Sequence, residues 1–480
     1  MYKKISFLFL CTFLILCNVN SQEVWSLEKC IQKAVDNSLS MEQADVGLKG
    51  AKLGSEESKN ARLPTVNGSY GGNVNFGRTV DPTTNGFTND TRFTNSLGVF
   101  GAVTLYNGGR IQNTIRQSGF NEDAARADKE NIASVLALQV AEAYLNILFA
   151  DEQLENANKQ LEQTKSQLSQ TDKLIQAGTL PRADRLDILA TIAGNEQVIV
   201  TQQNNVDLNY LTLKQLMTLE PDFDLSIEKP TVIISKSSDP EAFVLRNIYN
   251  KAYNNQPIIK AGNIRLKSAE LGISIAKSLR IPSVSLSGSL NSFWSDKGLD
   301  FTRPDFGPVE TGFPQDVLID GSTRATISSV GPSLSFPNRS YFGQVSDNFG
   351  QGLGLDIRIP IYNANQTSIA IQRAELNIIS QTITNTQNEQ QLKTDIQRAI
   401  AGAKAAGKQY EASKKTVSAL QEAYKNTEKR YELGAINTFE FTTSKNRLDQ
   451  AEVDLIIAKY NYLYTLKVVD FYEGNKITLR

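Results

Sequence analysis

The stretch Gly352-Leu353-Gly354-Leu355-Asp356-Ile357-Arg358-Ile359-Pro360-Ile361 alternates residue by residue. Leu353, Leu355, Ile357, Ile359 and Ile361 fall on one side, and Gly352, Gly354, Asp356 and Arg358 on the other. A side-chain period of two belongs to an extended strand. One aliphatic face and one charged face suit a barrel strand with lipid outside and water within, and place Asp356 and Arg358 in the lumen. Val284, Leu286 and Leu290 oppose Ser283, Ser285, Ser287 and Ser289 in the same way, and Leu97, Val99, Val103 and Leu105 share a side. Soluble sandwich strands also alternate. Internal repetition, the long polar loops between paired strands and a secretory leader favour the membrane reading.

The strands belong to a duplication. Shifted by 218, Lys33, Ala34 and Asn37 meet Lys251, Ala252 and Asn255, and Arg62-Leu63-Pro64 meets Arg280-Ile281-Pro282. Further on the shift becomes 256, and Tyr106-Asn107, Gly178 and Glu196 meet Tyr362-Asn363, Gly434 and Glu452. The difference is an insertion of 38 residues between Trp294 and Tyr362, in a Gly-, Pro-, Ser- and Asp-rich segment that reads as an exposed loop. The map is a first repeat over 22–218 with strands 64–76 and 93–106, and a connector over 219–240. A second repeat follows over 241–472 with strands 282–294 and 349–361 and the loop 296–347, then a tail over 473–480.

Each repeat opens with a helical pattern, 26–61 and 241–279, stopped at Pro64 and Pro282. Each then runs into a very long helix, 109–176 and 365–432, about 100 Å at 1.5 Å per residue. Leu154, Leu161, Leu168 and Ile175 recur every seven residues, as do Tyr410, Val417, Tyr424 and Tyr431. A sustained heptad means helices wound on partners. The long helices turn near Gly178 and Gly434 and return over 183–217 and 439–472. Opening and returning helices are each about half as long as the long one, so stacked end to end they match it. Faces rich in Gln, Asn, Thr and Ser suit a hollow, water-filled cylinder; a solid coiled-coil stalk is the alternative. Four strands cannot close a barrel, and open edges cannot sit in lipid, so several chains must share one; three copies give twelve strands.

Composition narrows the chemistry. Lys+Arg is 50 against Asp+Glu 51, without the basic excess of a nucleic-acid binder. Histidine is absent, which removes Ser-His and Cys-His nucleophile pairs and His-ligated metal sites. No paired acids of the glycosidase kind stand out, and neither an enzyme nor a cofactor is expected. Gly108-Gly109-Arg110 lacks the Lys-Ser/Thr of a phosphate loop and reads as a strand-to-helix turn. Lys3 and Lys4 followed by apolar Ile5 to Leu16 make residues 1–21 a secretory signal, with cleavage after Ser21. Its loss takes the formal charge from −1 to −3, two lysines and no acid being removed. Bulky Leu16 disfavours the alternative, a lipid anchor on Cys17. Cys30 is left as a small apolar residue on a helix.

This ordered set resembles the TolC family of outer-membrane efflux channels over essentially the whole mature chain. The carrying features are the duplicated helix–strand–strand–helix plan, the Leu-Pro and Ile-Pro strand entries, and two turns. The turns read Leu174-Ile175-Gln176-Ala177-Gly178-Thr179-Leu180-Pro181 and Arg430-Tyr431-Glu432-Leu433-Gly434-Ala435-Ile436-Asn437. Phe76-Gly77-Arg78 with Asp81-Pro82-Thr83-Thr84-Asn85 is similar to such channels from Bacteroidetes-type bacteria. The resemblance implies an α+β membrane protein. Long antiparallel coiled-coil helices form a periplasmic α-barrel, and four strands per chain contribute to a twelve-stranded barrel in a homotrimer.

It further implies a passive duct in outer-membrane lipid, loaded by an inner-membrane pump of the RND or ABC class through a periplasmic adaptor. The adaptor is expected at Gly178, Thr179, Leu180, Gly434, Ala435 and Asn437. Glu440 and Asp184, six residues after each tip glycine, are expected at the constriction. Thr443 stands where the family places a second acid, and Ile436 where it places a locking basic residue. Tyr431 keeps the tip aromatic, while Ala183 occupies the place of its polar partner. A second functional reading is a trimeric structural or adhesive stalk without transport, whose loop 296–347 binds an extracellular partner.

Overall fold

A computed structural model describes residues 24–80, 85–89, 91–230, 240–310, 315–319, 321, 323–327 and 330–478. The leader with Cys17, residues 81–84 and residues 231–239 of the connector lie outside the described residues. In the first repeat, β1 (Val24–Trp25) precedes helices α1 (Leu27–Asn37) and α2 (Leu39–Asn60). Strands β2 (Thr65–Asn75), β3 (Arg78–Val80), β4 (Phe87–Asn89) and β5 (Arg92–Tyr106) follow, then helices α3 (Arg110–Gln176) and α4 (Ala183–Leu216). After β6 (Ser226–Ile227), the second repeat has α5 (Leu245–Asn255), α6 (Pro257–Ser278) and β7 (Ser283–Ser295). Next come β8 (Asp305–Glu310), β9 (Gln315–Ile319), β10 (Thr323–Ile327), β11 (Val330–Ser335) and α7 (Tyr341–Asp347). The repeat ends with β12 (Gly350–Arg358), α8 (Gln366–Glu432) and α9 (Thr438–Glu473).

The described residues divide into two compact units. One holds the residues up to Ser55, Gln117–Glu270 and Leu376 onward, and the other Glu56–Arg116 and Leu271–Glu375. The first unit is helical, and its cores repeat like its sequence. Cys30, Ala34, Leu136, Val140, Tyr144, Ile147 and Leu213 form one core. Ile248, Ala252, Leu392, Ile396, Ile400, Ala403 and Val469, the same positions after the two shifts, form another. Helix α3 is long and apolar enough to cross a membrane, but this apolar stretch is what fills the first core. The Tyr144 hydroxyl lies 2.6 Å from the Glu228 carbonyl and 3.2 Å from that of Trp25, beside the parallel pair β1–β6 that the sequence did not reveal. Burial pushes the Cys30 thiol up to about 12, which makes it inert at neutral pH.

The opening runs 26–61 and 241–279 are each two helices and not one. Ser38 and Gln256, again 218 apart, are extended, with ψ 143° and 123°. Pro257 cannot continue a helix through its missing N–H but suits the first position of a new one. In the first repeat Ser38 does both jobs, donating its N–H to the Ala34 carbonyl and accepting from the Met41 N–H at 3.3 Å.

The second unit carries a four-stranded antiparallel sheet in the order β12-β7-β5-β2. Ile357 stands opposite Val284, Leu355 opposite Leu286 and Gln351 opposite Leu290. Leu286 and Leu290 in turn face Val103 and Val99, and Leu97 faces Tyr70. One face therefore gathers Val66, Tyr70, Leu97, Val99, Val103, Val284, Leu286, Leu290, Leu353, Leu355 and Ile357. The other gathers Asn67, Ser69, Asn73, five serines of β7, Asp356 and Arg358, with Phe100 among them. A register shift between Thr104 and Tyr106 leaves Leu105 without a partner on β7 and adds Tyr106 to the aliphatic face, opposite Val284. Strands β2 and β12 have no partner on their outer edges among the described residues.

The segment 296–347, expected as a loop, has structure of its own. Strand β8 pairs with β11 and β9 with β10, and Arg339 of its stem reaches Asp300 at 3.1 Å and Asp347 at 2.8 Å. Hydrogen bonds from Thr302 and the Arg339 guanidinium hold Asp300 below the usual carboxylate range. Buried Gln344 donates to the carbonyls of Ser295 and Arg339 and accepts from the Ser295 N–H at 3.0 Å, tying the segment to β7.

Candidate functional site: helical tips and the polar strand face

The two helical turns are closed alike. Gly178 and Gly434 hold φ of 77° and 68°, a region that glycine enters at no steric cost. Thr179 N–H donates to the Leu174 carbonyl at 2.9 Å, and Ala435 N–H to that of Arg430 at 2.9 Å. This six-to-one bond satisfies a carbonyl that the helix end leaves free. Helix α9 starts with Asn437 as its cap, whose Oδ1 accepts from the Glu440 N–H at 2.8 Å.

Packing behind the turns comes from four helices. Tyr431 is 1% exposed and stacks on Phe441 at 4.5 Å and 18°. Ile436 packs in the same cluster, with Leu174 and Leu180 against it. The Tyr431 hydroxyl lies 3.0 Å from Thr171 Oγ1 and 3.3 Å from Thr438 Oγ1. Thr438 donates to Asp184 Oδ2 at 2.6 Å. A single chain of hydrogen bonds thus runs from α3 through α8 and α9 to α4. Arg185 adds an ion pair to Asp172 at 3.0 Å.

The expected residues fall in distinct surroundings. Glu440 is exposed in the first turn of α9. Thr443, one turn on, is half-buried and lines a cleft of ≈ 460 Å³ with Thr416, Leu420 and Arg447. Asp184 is half-buried and engaged by Thr438. Gly178, Thr179, Gly434, Ala435 and Asn437 are exposed, whereas Leu180 leans into the tip core. Ala183, which stands where the family places a polar partner for Tyr431, is exposed, and within this chain the Tyr431 hydroxyl goes to Thr171 and Thr438. Asp356 accepts from Ser287 Oγ at 3.3 Å and shares the polar strand face with Arg358.

Sequence reasoning missed Thr171, Thr438 and Phe441. Thr171 stands three residues after heptad Leu168 and so occupies the second seam position, a signal that was available. It also missed Leu433 and Phe439, 83% and 78% exposed beside the second turn.

Comparisons with known proteins bear on the fold and the family. The chain is similar to CusC, whose structures concern folding and transmembrane channel formation, at TM-score 0.73 and 16% identity over 96% of each chain. It is similar to the outer membrane protein VceC of Vibrio cholerae at TM-score 0.71 and 15% identity, covering 94% of this chain and 96% of that one. The open MtrE channel of Neisseria gonorrhoeae matches at TM-score 0.69 and 18% identity, covering 94% and 90%. An uncharacterized protein of Haemophilus influenzae is 25% identical over 286 residues, 58% of this chain, and the match spans 59% of that relative's length. The model of the outer membrane efflux protein family matches residues 30–218 and 248–471, both repeats from the first helix to the last. The chain belongs to the outer membrane efflux protein family and, with it, to the outer membrane.

Proposed function

We propose that three copies of this chain close one twelve-stranded barrel and that the assembly is a passive efflux or secretion duct. The observation that carries this reading is the register of the sheet, with one aliphatic face, one polar face and two unpaired edges. Lipid tolerates an aliphatic face but no free backbone edge, and pairing β12 of one copy with β2 of the next removes every edge. Asp356 and Arg358 then line the lumen. A periplasmic adaptor docks on the turns at Gly178, Thr179, Leu180, Gly434, Ala435 and Asn437, with exposed Leu433 and Phe439 as apolar anchors. An inner-membrane pump of the RND or ABC class loads the duct through that adaptor. Glu440, Thr443 and Asp184 surround the narrow end, and the chain Thr171–Tyr431–Thr438–Asp184 holds the tip within each copy.

The test is native mass spectrometry of the detergent-extracted protein, followed by conductance in a planar bilayer. The expected outcome is a mass of three chains and an ion-conducting pore. A stable folded monomer overturns the shared barrel, and a three-chain assembly that conducts nothing selects a filled stalk.

A further inference from the structure

One end of the sheet carries more cations than acids. By register Thr65 stands opposite Ala102, and Ser283 opposite Arg358. The starts of β2 and β7 and the ends of β5 and β12 therefore lie together, at the end where strands hand over to helices. Residues 58–80, 91–121, 271–295 and 357–374 contain neither Asp nor Glu. At that end these stretches carry Lys59, Arg62, Arg110, Lys277 and Arg280, all exposed. Among the described residues the ion pairs lie elsewhere and include none of the five. The far end differs, since Asp300 and Asp347 are paired there with Arg339.

A cleft of ≈ 360 Å³ opens at the cationic end, lined by Arg280, Asn363, Asn365 and Ser368 together with Ile361 and Tyr362. Ile361 is 95% exposed and continues the alternation of the aliphatic face; Tyr362 is 85% exposed. Tyr106, its equivalent in the first repeat, was moved onto the aliphatic face by the register shift. Tyrosines at this level mark the boundary between acyl chains and headgroups in barrels. The cleft therefore offers a guanidinium and amides at headgroup depth, with aliphatic surface directly beside them.

We infer that this cleft binds the phosphate of an anionic phospholipid in the periplasm-facing leaflet, with Arg280 as its principal anion partner. Arg62 holds the same position in the first repeat. The inference rests on the outer-membrane barrel reading and adds the lipid class and the site. A guanidinium matches phosphate oxygens in a two-pronged geometry. Cations outnumber acids at this end, and Asp356 lies on the polar face, so an anionic headgroup is favoured over a zwitterionic one whose ammonium these cations repel. The neighbouring Ile361 and Tyr362 give acyl chains a surface that a soluble anion cannot use.

The test titrates the full detergent-folded protein with phosphatidylglycerol and with phosphatidylethanolamine of the same chains, counting bound lipid by native mass spectrometry. The expected result is a preference of about fivefold for phosphatidylglycerol. Arg280→Gln, and independently Arg62→Gln, reduces it to about twofold or less. Arg280→Lys keeps most of the preference, and Arg303→Gln at the far end leaves it unchanged. An unchanged preference in both glutamine variants overturns the inference. Equal binding of the two lipids to the wild type also overturns it while leaving the barrel in place. Equally effective competition by glycerol 3-phosphate, which lacks chains, overturns the lipid assignment in favour of a soluble anion. Retention of neither lipid removes the barrel reading, and the inference with it.

Discussion

Gly108 and Gly178 both hold positive φ, 69° and 77°, yet a methyl group added to each meets different surroundings. At Gly178 nothing lies within 4 Å, whereas at Gly108 the new Cβ comes 2.7 Å from Cβ of Ile281. Gly178→Ala should cost only the backbone strain, about 1–2 kcal/mol. Gly108→Ala adds overpacking of about 1–3 kcal/mol, and thermal unfolding in detergent should rank the two in that order. Glu452 offers a second test. Burial, and then the charge of Asp449, raises its carboxyl above the ordinary value of 4.5. Folding thus favours the protonated form, a contribution fully present below about pH 4.5 and lost as pH rises through the raised value. Glu452→Gln should raise the melting temperature at pH 7 and leave it unchanged at pH 4. Gly178 stands out in the sequence because it breaks a helical run. The crowding at Gly108 does not, because Ile281 lies 173 positions away along the chain.

At the scale of elements, periodicity carried most of the information. Of the heptad of α3, Leu161 is buried and Leu154, Leu168 and Ile175 are half-buried, while the second seam buries Ala157, Thr164 and Thr171. The alternation of β12 and β7 reappears as two chemically distinct faces. Ile357, 60% exposed on the aliphatic face, gives the direct test. Ile357→Lys should cost about 2–4 kcal/mol in lipid vesicles if the site is near the midplane. Ser289→Lys on the polar face should stay within about 0.5 kcal/mol. Equal losses in urea unfolding would mean that the register does not separate lipid from water. The helix breaks at Ser38 and Gln256 were legible only in part. Pro257 announces one, but a lone serine inside an amphipathic run does not announce the other, because serine is tolerated within helices. The strand pairs within 296–347 went unread because Gly, Pro and Ser dominate the segment and mask its short strands.

At the scale of the molecule, Glu440 sets the prediction. In the proposed trimer three exposed Glu440 carboxylates would converge on one axis, and a ring of acids favours cations in a narrow pore. Glu440→Ala should move the reversal potential in a salt gradient toward zero by a readily measured margin, with little change in conductance. An unchanged potential would remove Glu440 from the constriction. The sequence by itself determined the duplication, the order of long helices and paired strands, the turns and the two-faced sheet. These follow from spacing, and spacing survives in one dimension. Only the tertiary structure decided which side chains meet across helices. It joined Tyr431 to the chain Thr171–Tyr431–Thr438–Asp184, which no spacing announces. It also brought Tyr106 opposite Val284 through a shift of register at Leu105. The reason is physical: a hydrogen bond of about 3 Å depends on helix rotation and register to within a fraction of a residue. Periodicity fixes which face is buried, but not which atoms on that face come within reach.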